Sequence, residues 1–278
     1  MSSTLYYTDT LSLLTILLYY KSKTSSKPIL TFLYAQLSIL CRQTNIIWVG
    51  YFAGLHLFHK YHINKFSDFL DLFNKKIEIL YNNISEIFTL VVFFIFLVIN
   101  KGITVGDREN HQVSLHLAQL CYLSAIIAFY IPINWPRVKN LVYSNSWVSM
   151  IPLVALAVHK FSYAHKFLLS DNSHYTFYIW KNILSPYGIL LSPIYSLSFE
   201  YIKKELSPIF YWWFLCCAFV LIPSPLIEFR YFILPLSAYI ITYPSSPSNL
   251  RTFCLILINS LTMLIFLIKP YKGISFMW

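Results

Sequence analysis

Ile87-Phe-Thr-Leu-Val-Val-Phe-Phe-Ile-Phe-Leu-Val-Ile-Asn-Lys-Gly-Ile-Thr-Val105 is apolar over almost its whole length. A helix of about seventeen such residues is ~25 Å long, most of the ~30 Å hydrocarbon core of a bilayer. Comparable runs recur at roughly 5–20, 29–41, 46–58, 114–132, 146–163, 183–199, 208–224, 228–243 and 252–268. Those at 29–41 and 46–58 are short for full spans. They fit a re-entrant hairpin, one broken helix, or spans extended by polar ends.

Composition sets the class. Of 278 residues, 57% are hydrophobic and only 12% charged, about half the ~25% usual for soluble domains. The expectation is an all-α, polytopic integral membrane protein. It would have about ten transmembrane or re-entrant helices in a single multispan domain over residues 1–278. The net charge of +10 gathers into no basic stripe and no nucleic-acid-binding motif, so nucleic acid is not expected as a partner. Cys41, Cys121, Cys216, Cys217 and Cys254 lie in or beside apolar runs without metal-ligand spacing. Neither a disulfide framework nor a zinc site is favoured. The first residues carry no basic region before an apolar run and do not read as a cleavable signal peptide.

Orientation follows from lysine and arginine. Alternating spans put 21–28, 59–86, 133–145, 200–207 and 244–251 on one side, with twelve of the 21 basic residues. That side is expected to be cytosolic. Within 59–86 an amphipathic segment running through Lys75 and Lys76 is expected to lie at the interface. His56, His59 and His62, at i, i+3 and i+6, admit metal binding as the alternative. Asn83-Ile84-Ser85 matches a glycosylation sequon and, on the cytosolic side, is expected to stay bare.

The polar clusters then share the opposite face: residues 6–9, 42–45, 106–111, 165–181 and 226–232. Polar groups near a bilayer are costly and usually functional, so chemistry is expected there. The 165–181 stretch gathers His165, Lys166, Asp171, His174 and Lys181 with five aromatics; its plainer reading is an interfacial loop. Arg42, followed by Gln43, Thr44 and Asn45, suits a lipid phosphate, or caps a hairpin turn. Asp107, Arg108, Glu109 and His111 form either a site or an internally paired loop. Glu228 and Arg230 open an apolar run just after Pro223 and Pro225. Arg230 would meet a phosphate at headgroup depth, or simply pair with Glu228.

Several strings resemble the DIE2/ALG10 family of dolichyl-phosphate-glucose-dependent α-1,2-glucosyltransferases. They are Leu5-Tyr6-Tyr7-Thr8, Arg42-Gln43-Thr44-Asn45-Ile46-Ile47-Trp48, Gly106-Asp107-Arg108, Tyr163-Ala164-His165-Lys166, the run Asp171 to Lys181, Glu228-Phe229-Arg230-Tyr231-Phe232-Ile233-Leu234-Pro235, and Phe276-Met277-Trp278. They occur in the family's order over almost the whole chain. The aromatic run and the Glu228–Pro235 string are the specific ones. The resemblance implies a multispan GT-C-type glycosyltransferase fold lacking its N-terminal part, because the family's acidic first lumenal loop has no counterpart before Asp9. It leaves two expectations, a truncated gene model or a shortened, inactive relative.

The resemblance further implies an inverting enzyme of the endoplasmic reticulum membrane with a lumenal active face. It would move the terminal glucose from dolichyl-phosphate-glucose to Glc(2)Man(9)GlcNAc(2) on dolichyl pyrophosphate, without metal or cofactor. Asp171 or Asp107 would act as base if the absent loop does not supply one. Arg230, Arg42, Glu228, His174 and Lys166 would hold the donor's phosphate or sugar. An inactive relative or accessory subunit is the alternative. A transporter fits less well, because polar residues sit mainly at span ends and no internal repeat is visible.

Overall fold

The computed structural model describes residues 8–105, 113–165, 175–203, 207–244 and 249–268. Every regular element among them is helical. In chain order the principal helices are α1 (Thr8–Thr24), α2 (Pro28–Cys41), α3 (Asn45–Lys60), α4 (Ile84–Asn100), α5 (Ala118–Tyr130), α6 (Trp135–Ser144), α7 (Ile151–Lys160), α8 (Tyr175–Ile179), α9 (Ser192–Ile202), α10 (Pro208–Leu221), α11 (Ile233–Thr242) and α12 (Asn249–Ile268). Short helical segments fill Phe66–Asn82 between α3 and α4, the last of them the seven-residue helix Lys76–Asn82.

Local chemistry writes the helix ends. Pro28 and Pro208 stand at the starts of α2 and α10, where no amide donor is needed. Ser207 and Asn134 accept hydrogen bonds from the amides of Phe210 (3.4 Å) and Arg137 (3.0 Å), capping α10 and α6. α4 stops where Lys101 turns left-handed, with φ 53°, and the Gly102 amide bonds back to Leu97 O at 3.2 Å. The apolar run 183–199 is interrupted: the chain turns at residues 188–191 before α9. Conversely, the stretch read as the loop 133–145 carries α6, begun by the Asn134 cap.

Two helices, α1 and α4, present apolar side chains outward and mainly polar ones inward. On α1 the buried positions are Asp9, Ser12, Thr15, Ile16, Tyr19, Ser22 and Lys23, while Leu11, Leu14 and Leu17 are exposed. On α4 only Ser85, Glu86 and Thr89 are buried. Phe88, Phe94, Val98 and Ile99 stand outside, Ile99 at 77% exposure. A helix on a water-soluble core has the reverse arrangement. The core itself is aromatic, with Trp48, Tyr51 and Phe52 of α3 packed near Trp213 and Tyr239. Two of the polar tips find backbone acceptors: Trp213 Nε1 donates to Pro235 O (3.0 Å) and Tyr239 OH to Ile202 O (2.8 Å). Gly54 lets α10 close on α3, since a Cβ there would lie 2.5 Å from Trp212 Nε1.

Among the described residues no single helix is long and apolar enough to cross a membrane. Two bent pairs are, by length and composition: Lys76–Asn82 with Ile84–Asn100, bent 69°, and Trp135–Ser144 with Val148–Lys160, bent 65°.

The connections sort to two poles. Lys23 reaches Asn82 O (2.7 Å), Ser85 Oγ reaches Pro28 O (3.0 Å), and Arg137 reaches Lys203 O (2.8 Å). Phe66 packs on Tyr211 of α10, ring centres 5.6 Å apart, so all these loops share one end. At the other end Asp9 pairs with Arg42, and the Asn45 amide donates to Ser12 Oγ (2.7 Å). There too the amides of Ser114 and His116 bond to Pro223 O (3.1 Å) and Ile222 O (3.0 Å), and Ala118 N bonds to Phe161 O (3.3 Å). For these described connections the grouping is the one that alternating the apolar runs gives.

Candidate functional site

The second pole holds a recess lined by Asp9, Ser12, Arg42, Thr44, Trp48, Val220, Arg230, Tyr231, Ile233 and Leu234. Three separate pieces of chain supply its charged and hydroxyl-bearing side chains. α1 brings Asp9 and Ser12, the α2–α3 connection brings Arg42 and Thr44, and the short helical turn Phe229–Phe232 before α11 brings Arg230 and Tyr231.

Each piece is held from behind. Arg42 lies one residue past α2 in extended backbone, which swings its side chain out of the helix. Asn45 fixes the turn by donating to Ser38 O and Ser12 Oγ, both at 2.7 Å. The loop before Glu228 is tied to the start of α5, where Gln119 Nε2 donates to Ser224 O at 2.7 Å. Residues 113–119, which follow the 106–111 cluster directly in sequence, thus pin the segment that carries Arg230.

Two ion pairs and one ring organise the recess. The Asp9 carboxylate, 4% exposed, accepts from Arg42 Nη1 through Oδ1. Arg230 Nε donates to Glu228 Oε2. The Tyr231 ring lies between the pairs in contact terms: its centre is 5.0 Å from the Arg42 guanidinium carbon and 5.7 Å from that of Arg230. Cation–π attraction of this kind orients both planar groups. The side chains of Arg42 and Arg230 keep 23% and 37% exposure, so both reach the surface from a largely closed setting. Two cations offset by two carboxylates leave a site of no net charge, into which one anionic group brings a single negative charge.

Several buried polar atoms at this pole have no hydrogen-bond partner among the described residues: Asp9 Oδ2, Asn45 Oδ1, Ser114 Oγ, His116 Nε2 and Gln119 Oε1. Buried polar atoms are normally paired, and exceptions ask for an explanation. Arg42, Glu228 and Arg230, the described members of the sequence-read set, are thus brought to one place. Asp107, Lys166, Asp171 and His174 lie outside the described residues. The segment after them begins with α8, which passes into a five-residue π-helical turn, Trp180–Leu184, a feature frequent at functional sites. Among the described residues no group of three or more His, Cys, Asp and Glu side chains could hold a metal ion. His56 and His59 lie on α3, with His62 in the turn beyond it.

The residues that the sequence alone underweighted are Asp9 and Tyr231. In sequence Asp9 is one member of the 6–9 cluster, and no spacing rule links it to Arg42. Its signal is the spacing of Asp9, Ser12, Thr15/Ile16, Tyr19 and Ser22/Lys23, a polar stripe along an otherwise leucine-rich helix.

Relatives are found along most of the chain. It is 34% identical over 276 residues to a human protein named Dol-P-Glc:Glc(2)Man(9)GlcNAc(2)-PP-Dol α-1,2-glucosyltransferase, covering 83% of this chain and 58% of that one. A protein of the same name from Candida albicans is 32% identical, covering 97% of this chain and 64% of the relative. One from Arabidopsis thaliana is 29% identical, covering 96% and 70%. The chain thus spans about three fifths of the length of the human and Candida relatives. No solved structure matches it. The model of the DIE2/ALG10 family matches residues 1–241, and the chain belongs to that family.

Proposed function

We propose that this chain transfers glucose from dolichyl-phosphate-glucose to Glc(2)Man(9)GlcNAc(2) on dolichyl pyrophosphate, forming an α-1,2 linkage, as its relatives' names describe. The carrying observation is the meeting of Arg42 and Arg230 on one Tyr231 ring. Planar guanidinium forks recognise phosphate oxygens through paired charge-assisted bonds. Fixed positive charge at that place stabilises the phosphate as it leaves the sugar. Inversion needs one displacement: a base takes the proton of the acceptor hydroxyl while the bond to phosphate breaks through an oxocarbenium-like state. Asp171 and Asp107 remain the candidates for that base, with His174 and Lys166 as further contacts to the donor.

The chain is read as one multispan unit of the endoplasmic reticulum membrane. Support comes from the many large apolar side chains exposed along its helices and from the inward polar faces of α1 and α4, because exposed apolar area on this scale is foreign to a water-soluble surface. The recess is assigned to the lumenal side, and the Lys23 pole to the cytosol. A sequon inserted near Ser173 should be glycosylated, and one inserted in 133–145 should not; the reverse pattern would invert the assignment. Native Asn83 is a poor reporter. In the folded protein its amide already donates to Ile79 O (2.7 Å) and accepts from Lys23 Nζ (3.0 Å).

Activity is tested with the purified chain in nanodiscs containing dolichyl-phosphate-glucose and the diglucosylated lipid-linked acceptor. Appearance of the terminally glucosylated product is the expected result. Donor binding without turnover would instead favour the accessory or inactive relative, and no binding of either lipid would overturn the reading.

A further inference from the structure

We propose that Asp9 contacts the sugar of the donor, accepting one of its hydroxyls through Oδ2, and so distinguishes a glycosylated lipid phosphate from one without a sugar. This rests on the phosphate reading of Arg42 and Arg230. The carboxylate is bound on one side only: Oδ1 accepts from Arg42, whereas Oδ2 is buried with no partner among the described residues. Asp9 and Ser12 line the same recess as both guanidiniums. Arg42, held by Asp9, also touches Tyr231, so a phosphate seated on the two forks lies one side chain from the orphan oxygen. A phosphate-linked hexose carries neutral hydroxyl donors at that remove, and a buried acceptor left unpaired gains most from such a donor.

Charge favours the same ligand. The sugar-bearing lipid is a phosphodiester with one negative charge, whereas the released lipid phosphate is a monoester that carries up to two. With Arg42 and Arg230 already paired to Asp9 and Glu228, the site has no positive charge to spare, and the ligand with the smaller charge is the less costly one. Asp9 thereby disfavours the product as well as recognising the donor.

The test uses two diesters of equal charge, dolichyl-phosphate-glucose and dolichyl methyl phosphate, with affinities measured on the purified chain in nanodiscs. The wild type should prefer the glucosyl lipid by about tenfold or more, the range of one hydrogen bond to a charged group. Asp9→Ala should abolish the preference, so that the two diesters bind alike. Asp9→Asn, isosteric and able to keep Arg42 in place, serves the same comparison if the alanine variant does not fold. It should lose preference and bind dolichyl phosphate, the dianionic monoester, more tightly than wild type. An unchanged preference in the folded Asp9 variant overturns the proposal. Arg230→Ala separates the underlying reading: it should weaken both diesters alike, and if it weakens neither, the phosphate site itself is wrong.

Discussion

Lys23 and Glu86 at one pole, and Arg42 with Asp9 at the other, are both charge pairs at the ends of helices that are apolar outside, yet they are built differently. Lys23 Nζ uses its three donors on Asn82 O (2.7 Å), Glu86 Oε2 (2.9 Å) and Asn83 Oδ1 (3.0 Å). Glu86 Oε1 takes the hydroxyl of Tyr19 at 2.8 Å. The two side chains are 6% and 9% exposed, and none of these atoms is left over. At the recess Asp9 keeps an unpartnered oxygen, and both arginines keep an edge to the surface. A closed network can only hold the fold. An open one retains capacity for a ligand, at some cost in stability. The closed pair has a clear task, because α4 buries only Ser85, Glu86 and Thr89, and Glu86 is the charged anchor of a helix otherwise facing outward.

The largest effect should come from breaking the closed pair. Glu86→Ala leaves the Lys23 ammonium buried without its counter-charge, which typically costs about 3–5 kcal/mol. Expected is a collapse in the yield of folded protein and a strongly lowered melting temperature in detergent. The double variant Lys23→Met, Glu86→Leu removes both charges and should recover most of the loss. If Glu86→Ala melts like wild type, the two poles do not differ in the way described.

Arg230 probes the open pole with less structural damage than Arg42, since Arg42→Ala would strand the buried Asp9. Arg230→Ala should weaken dolichyl-phosphate-glucose binding about ten- to a hundredfold, the scale of a charge-assisted bond worth roughly 1.5–3 kcal/mol. Arg230→Lys keeps charge but not the fork and should fall between. Glu228→Ala should weaken binding far less, because it removes only the partner. Equal losses from Arg230→Ala and Glu228→Ala, measured per folded molecule, would mean that Arg230 serves the ion pair alone.

Much of this arrangement is legible in the chain because a helix in an apolar setting declares itself by continuous composition. Each apolar run carries helix, and the alternation of runs correctly groups the loops that bond to one another. The grouping also brought Arg42, Glu228 and Arg230 to one face. What failed was local: the turn at 188–191 interrupts a run whose composition does not change, and α6 forms in a loop where the Asn134 cap outweighs low hydrophobicity. The pairing of Asp9 with Arg42 was hidden for a different reason. It joins the start of α1 to the residue after α2, across 33 positions, and depends on how two helices lie against each other. In sequence Tyr231 is one aromatic among many, and only the fold brings two guanidiniums to its ring.

Asp68 supplies the weak end of the comparison, a carboxylate that is fully partnered yet not enclosed. It accepts the amides of Lys65 (2.8 Å) and Asn64 (2.9 Å), and Ser67 Oγ adds a contact at 3.1 Å. The Lys65 amide first, then that of Asn64, hold its pKa below the ordinary aspartate value, which is about 3.9. A carboxylate with a depressed folded pKa stabilises the native state above the unfolded pKa, and this contribution is lost as pH falls through the folded value. Asp68→Asn should therefore lower the melting temperature slightly at pH 7, and the gap from wild type should close below about pH 4. A gap that persists at pH 3 would trace to the turn's shape and not to its charge. A loss at pH 7 as large as that of Glu86→Ala would show that saturation alone, without burial, sets how much a charged group matters in this fold, and the contrast between the poles would then need another cause.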